Sequence, residues 1–324
     1  MAGASILMPN YNNAPFLKEA IDSCLNQSFR DFEFIIVDDG STDESVQIIN
    51  SYNDQRIKLI QKEKNSGIVD SLNLGLQHCT SEFIIRMDGD DISLPGRFEK
   101  LIYHMKNNPA IGVFSSGLKM FGNRNDILNV NTGPALLKAG MIHGATVPHA
   151  PCVFRASILK ENQIKYSHAN PHMEDYDIFF RIKNLTQFEN INEILYLYRI
   201  NNHNVTIKNN STRKDRFINM YKQVLSELGM EETNENANLH YEFFQIVPMS
   251  FTPEQFNNYV SSLIKNNNRL KIYSEREFKT IIYNCWNTLC CRFIDKDKRS
   301  FKKFKKFDHK LYFRTYYYYF KNRN

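Results

Sequence analysis

The first 90 residues alternate short apolar runs with segments of helical periodicity, and this alternation permits few folds. Apolar runs at about residues 4–9, 32–37, 57–60 and 83–87 have the length and composition of strands. The segments between them carry apolar side chains at helical spacing, at residues 16–25, 43–51 and 68–77. This order predicts an α/β fold with a mostly parallel sheet and helices on both faces. Ligands of such sheets collect beyond the carboxyl ends of the strands.

The pattern loosens after residue 110. A glycine-bearing strand is expected at 111–118, followed by a polar stretch at 122–132. Acidic residues then open a helix at 174–182. A domain boundary is expected near residues 205–212, in the stretch that contains Asn209 and Asn210.

The remainder of the chain is expected to be helical. Thr252 and Ser274 each begin a capping-box pattern, which marks a helix N-terminus. We therefore predict an α/β domain over residues 1–208 and a helical C-terminal region over residues 209–324. That region ends in a basic aromatic tail at about residues 292–324.

Composition narrows the expected environment of the protein. No apolar run approaches the roughly 20 residues that span a bilayer, and the first residues lack a signal-peptide pattern. The six cysteines show no paired metal spacing and are expected to be reduced and mostly buried. These features favour a cytoplasmic protein.

Three carboxylates directly follow the last apolar run of the alternating region. Asp88 and Asp90 lie one residue apart at a strand end, with Gly89 between them and Asp91 next. Oxygen ligands in this arrangement suit Mg²⁺ or Mn²⁺. A solvated acidic turn is the alternative that this segment alone leaves open.

Seven short motifs follow one another in the order found in the family 2 glycosyltransferases, and the chain resembles that family over roughly residues 4–206. The motifs are Met8-Pro9-Asn10-Tyr11-Asn12, Val37-Asp38-Asp39-Gly40-Ser41-Thr42-Asp43, Asn65-Ser66-Gly67, Asp88-Gly89-Asp90-Asp91, Pro148-His149, Glu174-Asp175-Tyr176-Asp177 and Tyr198-Arg199. The resemblance implies a GT-A type fold, inversion at the sugar carbon, a nucleotide-sugar donor and a Mn²⁺ or Mg²⁺ cofactor. Membrane helices and the Gln-x-x-Arg-Trp motif of processive members are not found, so single or few transfers are expected.

The resemblance assigns a nucleotide site to the first motifs. Tyr11 corresponds to the aromatic residue that packs on the base, and Asp39 to the carboxylate that accepts a hydrogen bond from uracil. A base offers a face for stacking, and an imide N–H shielded from water needs an acceptor. Without the resemblance, Tyr11 could pack on the next helix and Asp39 could be a turn or helix-cap residue. The other predicted nucleotide-binding residues are Pro9, Asn12, Asn65, Gly67, Arg86 and Asp88.

The same resemblance assigns the metal and the catalytic base. Asp90 corresponds to a direct metal ligand, and Asp88 to a metal or ribose contact. Asn201 stands where family members often carry a metal-proximal histidine, so His203 either replaces it or the ligand is missing. Asp175 corresponds to the general base, which takes the proton of the acceptor hydroxyl.

Four further residues are expected to contact the acceptor or the donor sugar. They are Asp91, His149, Glu174 and Arg199. Asp177, one helical turn before Arg181, is instead expected to be its structural partner. For the acidic pair at 174–175, charge that complements the helix dipole is the structural alternative.

The basic character of the chain is concentrated in the tail. The net charge is +6, but residues 292–324 alone hold 12 Lys and Arg against 3 Asp, which leaves −3 for the preceding chain. Lysines there interleave with Phe and Tyr, a pattern that suits an anionic membrane surface. Packing on the helical region or on a second subunit of a homo-oligomer is the alternative, and nucleic acid ranks last.

Together these features predict a transferase that moves a sugar from a UDP-sugar of the GlcNAc, Glc, Gal or GalNAc type. The predicted acceptor is a hydroxyl of a cell-surface or lipid-linked glycan. The alternatives are a dTDP- or GDP-sugar donor, or an inactive nucleotide-binding scaffold of a glycan assembly complex.

Overall fold

The computed structural model describes residues 2–201, 213–247 and 250–296. The chain divides into two compact units, one formed by Met1–Lys138 with Ala145–Asn210 and the other by Ala139–Gly144 with Ser211–Asn324. His203, the predicted boundary at residue 208 and residues 297–324 of the predicted tail lie outside the described residues.

The first unit carries the predicted alternation of strands and helices. Its first elements are β1 (Ala4–Asn10), α1 (Ala14–Leu25), β2 (Phe32–Asp38), α2 (Ser45–Asn50), β3 (Ile57–Gln61), α3 (Ile68–His78), β4 (Phe83–Arg86), β5 (Ile92–Ser93) and α4 (Arg97–Asn107). They are followed by β6 (Ile111–Gly122), β7 (Ile127–Leu128), α5 (Pro134–Gly140), β8 (Val153–Arg155), α6 (Ala156–Glu161), α7 (Glu174–Ile182) and β9 (Gln187–Ile200). The predicted α/β fold class is confirmed.

The strands form one mixed sheet in the order β3-β2-β1-β4-β8-β6-β9-β5, with β7 paired to β6. The pairings among β1 to β4 are parallel, as predicted. Among the described strands of the second half, β6 and β9 pair in parallel, while β8 runs antiparallel to both of its neighbours and β5 antiparallel to β9. The polar stretch predicted at 122–132 contains β7, which the sequence did not predict.

Helix α3 packs closely against the centre of the sheet. All seven residues of β1 and of β2 are buried, so both strands are covered on both faces. A Cβ added to Gly75 of α3 would lie 2.1 Å from Leu7 Cδ1 and 3.1 Å from Val37 Cγ2. A larger residue would force the Leu7 side chain to shift, so the glycine allows the close packing of the helix against the strands whose carboxyl ends carry the first predicted motifs.

The second unit is helical, as predicted, with α8 (Arg213–Glu227), α9 (Asn234–Gln245), α10 (Pro253–Leu270) and α11 (Glu275–Lys296). The capping box at Thr252 is confirmed, and the Ser274 hydroxyl donates to Glu277 in the second predicted box. Residues 139–144, which precede these helices by about 70 residues in the sequence, belong to the same compact unit. The carbonyl of Ile142 lies 2.8 Å from His240 Nε2. The sequence did not indicate this insertion.

None of the six cysteines forms a disulfide, and four of them are buried. No helix within the described residues is both long enough and apolar enough to cross a membrane.

Candidate active site

The loops that follow β1 and β2 are joined by side-chain hydrogen bonds. Asn10 Nδ2 donates to Asp38 Oδ1 at 2.8 Å, and the backbone N–H of Asn12 donates to Ser41 Oγ at 2.9 Å. The side chain of Asn12 in turn accepts from the backbone N–H of Thr42 at 2.8 Å. Asn12 has a φ of 52°, a left-handed conformation that asparagine tolerates better than most residues. Asn12 is therefore a structural link between the two loops.

Tyr11 projects from this joined pair of loops. It is 44% exposed, which leaves its ring accessible to a ligand, as the predicted stacking on a base requires. Pro9 is buried within β1 opposite Val37. It therefore lies at the base of the loop that presents the tyrosine.

Asp39 connects the second loop to the loop that follows β3. Its Oδ1 accepts from Lys62 Nζ at 2.5 Å and from the backbone N–H of Ser66 at 3.0 Å. Its Oδ2 accepts from the backbone N–H of Gly67 at 2.8 Å, where a φ of 94° requires glycine. Asp39 is only 3% exposed, and its bonds to Ser66 and Gly67 give it the structural role in the turn that the sequence left open. Since Oδ2 has one described donor, it retains a lone pair for a further one.

Asn65 lies beside this carboxylate network in the same loop. A Cβ added to Gly40 would lie 2.8 Å from the backbone nitrogen of Asn65, so the two loops touch through their backbones. The structure thus brings the first three predicted motifs together at one edge of the sheet. Lys62, which belongs to none of the predicted motifs, joins the second and third of them through Asp39 and Ser66.

The acidic turn after β4 begins with a buried ion pair. Arg86 Nη1 donates to Asp88 Oδ1 and to the carbonyl of Met87, each at 2.6 Å. The backbone N–H of Asp88 donates to the hydroxyl of Tyr196 at 3.1 Å. Burial, and then the charge of Asp88, raises the pKa of Asp90 to about 6. The turn therefore holds more negative charge than its described partners neutralise.

Arg199 secures the other side of this turn. Its backbone N–H donates to Asp91 Oδ1 at 2.7 Å, and its Nε donates to the carbonyl of Asp90 at 2.7 Å. The guanidinium also pairs with Glu19. Asp91 Oδ2 is buried without a partner among the described residues, and burial followed by the charge of Asp88 raises the pKa of Asp91 well above its usual value. Arg199 thus positions the turn from within the fold.

A fully buried arginine that the sequence did not reveal, Arg97, bonds to the residues on both sides of the acidic turn. Arg97 has no exposed surface. Its Nη2 donates to the carbonyl of Arg86 at 2.5 Å and its Nη1 to Ser93 Oγ at 3.2 Å, so it bridges both ends of the turn. Its guanidinium also lies 4.8 Å from the ring centre of Tyr196. The position resembles an ordinary first helical residue in sequence, and no local signal marks its burial.

Two carboxylates at the start of α7 occupy a desolvated environment. Burial, and then the charge of Asp175, raises the pKa of Glu174 to about 7. Burial also raises the pKa of Asp175, while the backbone N–H of Tyr176 donates to its Oδ1 at 2.7 Å. The positive charge of Arg86 opposes the rise of both pKa values. The guanidinium that pairs with the acidic turn therefore also acts electrostatically on α7.

Asp177 is the structural partner of Arg181, as predicted. Arg181 Nε donates to Asp177 Oδ2 at 2.8 Å, and Asn170 Nδ2 donates to Asp177 Oδ1 at 2.9 Å. Arg181 Nη2 also donates to the carbonyl of Lys165 at 2.7 Å. These bonds hold the segment before α7 against the helix.

His149 pairs with a tyrosine that the sequence analysis did not select. The hydroxyl of Tyr166 lies 2.8 Å from His149 Nε2. Asn73 of α3 bonds the backbone N–H and carbonyl of Tyr166, at 2.8 and 2.9 Å. Burial, and then the charge of Arg86, lowers the pKa of His149 well below its usual value, so the imidazole is neutral. The two partners of Tyr166 are 17 and 93 residues away in the sequence, which explains why no local pattern revealed it.

No group of three or more His, Cys, Asp or Glu side chains is arranged to hold a metal within the described ranges. Asp88 and Asp90 are the two carboxylates that the sequence predicts as metal ligands. The raised pKa of Asp90 and the unpartnered oxygen of Asp91 indicate a turn that a cation would stabilise. A hard cation completed by oxygen atoms of a bound ligand fits this donor set.

Similarity to known proteins extends over most of this unit. The model of Glycosyl transferase family 2 matches residues 5–182. An uncharacterized glycosyltransferase of Haemophilus influenzae is 28% identical over 214 residues, which are 60% of this chain and 65% of that protein. The chain thus spans just under two thirds of that relative's length.

Two solved structures share the fold. Residues 1-349 of S. aureus TarS, in complex with UDP-GlcNAc, match with a TM-score of 0.58 at 19% identity, over 86% of this chain and 90% of that one. A mannosyltransferase from Pyrobaculum calidifontis, in complex with GDP-Man and Mn²⁺, matches with a TM-score of 0.51 at 14% identity, over 84% and 72%. Since the family match covers more than half of the chain, this chain belongs to glycosyl transferase family 2.

Proposed function

We propose that the enzyme transfers a sugar from a UDP-sugar to a glycan hydroxyl with inversion, using Asp175 as the general base. The observation that carries this proposal is the shared electrostatic environment of Arg86. Its guanidinium pairs with Asp88, and its charge acts on both Glu174 and Asp175. The buried guanidinium of Arg86 therefore interacts with Asp88, on the side proposed for the leaving diphosphate. It also interacts with Glu174 and Asp175, on the side proposed for the attacking hydroxyl.

The loops after β1, β2 and β3 form the proposed nucleoside site. The exposed ring of Tyr11 offers a stacking surface, and Asp39 keeps one lone pair for an imide N–H. The UDP-GlcNAc bound by the TarS structure supports a uridine donor. The imide of thymine presents the same hydrogen-bond donor, so the donor test includes dTDP-sugars.

The proposed reaction is a single displacement at the anomeric carbon of the sugar. The acceptor oxygen attacks C1 from the face opposite the diphosphate, the bond from C1 to the phosphate oxygen breaks, and UDP departs. Asp175 takes the proton of the attacking hydroxyl. Because burial raises its pKa, Asp175 is a stronger base than an exposed aspartate. An α-linked donor thus gives a β-linked product.

Asp88 and Asp90 are the proposed ligands of Mn²⁺ or Mg²⁺, with His203 as a third. A divalent cation bound there would neutralise charge on the departing diphosphate, an effect that typically lowers the barrier by several kcal/mol. The Mn²⁺ in the P. calidifontis mannosyltransferase complex supports this proposal. The protein's own contribution is the closed turn that keeps both carboxylates at one edge of the sheet.

A thermal-shift panel tests donor class and metal together. UDP-, GDP- and dTDP-sugars are each added with and without Mn²⁺, since a ligand that binds the native state raises the apparent melting temperature. We expect a manganese-dependent rise with a UDP-sugar. A rise with GDP- or dTDP-sugars alone would contradict the uridine donor, and no rise with any nucleotide would contradict a nucleotide-sugar donor of any kind.

We further propose that the tail at residues 292–324 binds anionic membranes and brings the enzyme to a lipid-linked or cell-surface glycan at the inner face of the cytoplasmic membrane. The support is the net charge of +9 over those residues, interleaved with aromatic side chains. Flotation of the full chain with vesicles of phosphatidylcholine, with and without phosphatidylserine, tests this. Binding only to the anionic vesicles is expected, and no binding to them would contradict the proposal.

A further inference from the structure

We propose that Tyr166 fixes the tautomer of His149, so that the imidazole presents its Nδ1–H as a hydrogen-bond donor to an oxygen of the bound donor substrate. Tyr166 is then a positioning residue of the site. The identity of the ligand rests on the proposed function, whereas the tautomer itself does not.

The direction of the hydrogen bond follows from the single proton of a phenol. Tyr166 is buried, and His149 Nε2, at 2.8 Å, is the only partner of its hydroxyl among the described residues. A buried O–H without an acceptor costs roughly 1–3 kcal/mol. If Nε2–H were the donor instead, the phenol proton would have no acceptor in the described part of the chain. The phenol therefore donates to Nε2.

The tautomer follows from the neutrality of the ring. A neutral imidazole carries one proton, and a nitrogen that accepts a hydrogen bond cannot hold it. Burial and the nearby charge of Arg86 both disfavour the imidazolium form of His149. The proton therefore resides on Nδ1, which donates to no described residue.

The orientation of the ring is fixed from two sides. The Tyr166 ring meets it edge-on at 5.6 Å between centres, and Phe179 does the same at 5.8 Å. Asn73 locks the backbone of Tyr166 through two hydrogen bonds, and Phe179 belongs to α7, the helix that carries Asp175. Packing against Phe179 therefore ties the orientation of the His149 ring to the helix that carries the proposed base.

Histidine tautomers are distinguished by long-range ¹H–¹⁵N correlation spectra of the full chain labelled with ¹⁵N-histidine. His149→Gln identifies the resonances of His149. We expect the Nδ1–H pattern in the unliganded wild type and a shift of population toward Nε2–H in Tyr166→Phe. Tyr103→Phe, at a tyrosine that is 63% exposed, is the matched control and should leave the resonances of His149 unchanged. An Nε2–H pattern in the wild type, or no change in Tyr166→Phe, would overturn the assignment.

Titration with UDP and with UDP-GlcNAc then tests the ligand. A change at His149 Nδ1 with UDP identifies a phosphate oxygen, and a change only with UDP-GlcNAc identifies a sugar hydroxyl; either result supports the inference. Tyr166→Phe should lower the affinity for that ligand about fivefold, the effect of one neutral hydrogen bond. Binding of both ligands with no change at Nδ1 would overturn the donor role. Binding of neither would instead contradict the proposed function, while the tautomer result would stand.

Discussion

Replacing Glu174 by glutamine should stabilise the folded enzyme while reducing transfer. Burial, and then the charge of Asp175, raises the pKa of Glu174 from 4.5 to about 7. At about 1.4 kcal/mol per pKa unit, ionising this carboxyl in the folded state costs roughly 3 kcal/mol. Between pH 4.5 and 7 the folded state keeps a proton that the unfolded state has lost, so stability falls as pH rises through this window. Glutamine cannot ionise and avoids that loss.

Urea unfolding followed by far-UV circular dichroism, in a buffer with a metal chelator, measures this effect. Relative to the wild type, Glu174→Gln should gain about 1 kcal/mol at pH 5 and about 3 kcal/mol at pH 8. Fluorescence of Trp286, the only tryptophan, reports the helical unit separately. Glu161→Gln, at an exposed glutamate, should change neither value. An equal effect at both pH values, or a loss of stability at pH 8, would refute the reasoning.

Three further predictions concern residues that support the site. Arg97→Met removes the hydrogen bonds that the buried guanidinium donates, among them those to Ser93 and Arg86, and should cost about 3–6 kcal/mol of unfolding free energy. Arg97→Lys should recover part of this loss, and an unchanged urea midpoint would contradict the role of the guanidinium. Gly75→Ala places a Cβ 2.1 Å from Leu7 Cδ1 and should cost about 1–3 kcal/mol in the same assay, whereas Gly144→Ala, with open space around it, should cost little. Burial would raise the pKa of Glu33, but its hydrogen-bond donors lower it to about 2, so it contributes about 3 kcal/mol above pH 4.5 that is lost as pH falls toward 2. Glu33→Gln should therefore destabilise more at pH 7 than at pH 3, and equal losses would contradict this.

The parallel half of the sheet was predictable because its signals are local. Strands β1 and β2 are apolar runs that end in Asn, Pro, Asp and Gly turns, and both are buried along their whole length. The same turns carry Tyr11 and Asp39, so strand-end geometry brought the predicted residues together. The antiparallel strands β5, β7 and β8 have only two or three residues, too few for a periodic pattern.

The supporting contacts of the site were not predictable from local patterns. Tyr166 meets Asn73 across 93 residues, and Asp88 meets Tyr196 across 108. Asp39 illustrates a different difficulty. Its sequence motif alone favours a turn residue, and the family resemblance indicates a base-binding carboxylate. In the folded chain its carboxylate holds the turn while retaining one acceptor site. The assigned roles of the site residues therefore stay predictions.

Asp175→Asn tests the proposed mechanism most directly. The measurement is the rate of UDP release from UDP-GlcNAc, with water or a glycan hydroxyl as acceptor, alongside the affinity for UDP. Loss of the general base should lower the rate about 10²- to 10⁴-fold, since the amide cannot accept the acceptor proton, while UDP binds as in the wild type. A near-normal rate in Asp175→Asn would contradict the assignment of the base and with it the proposed mechanism.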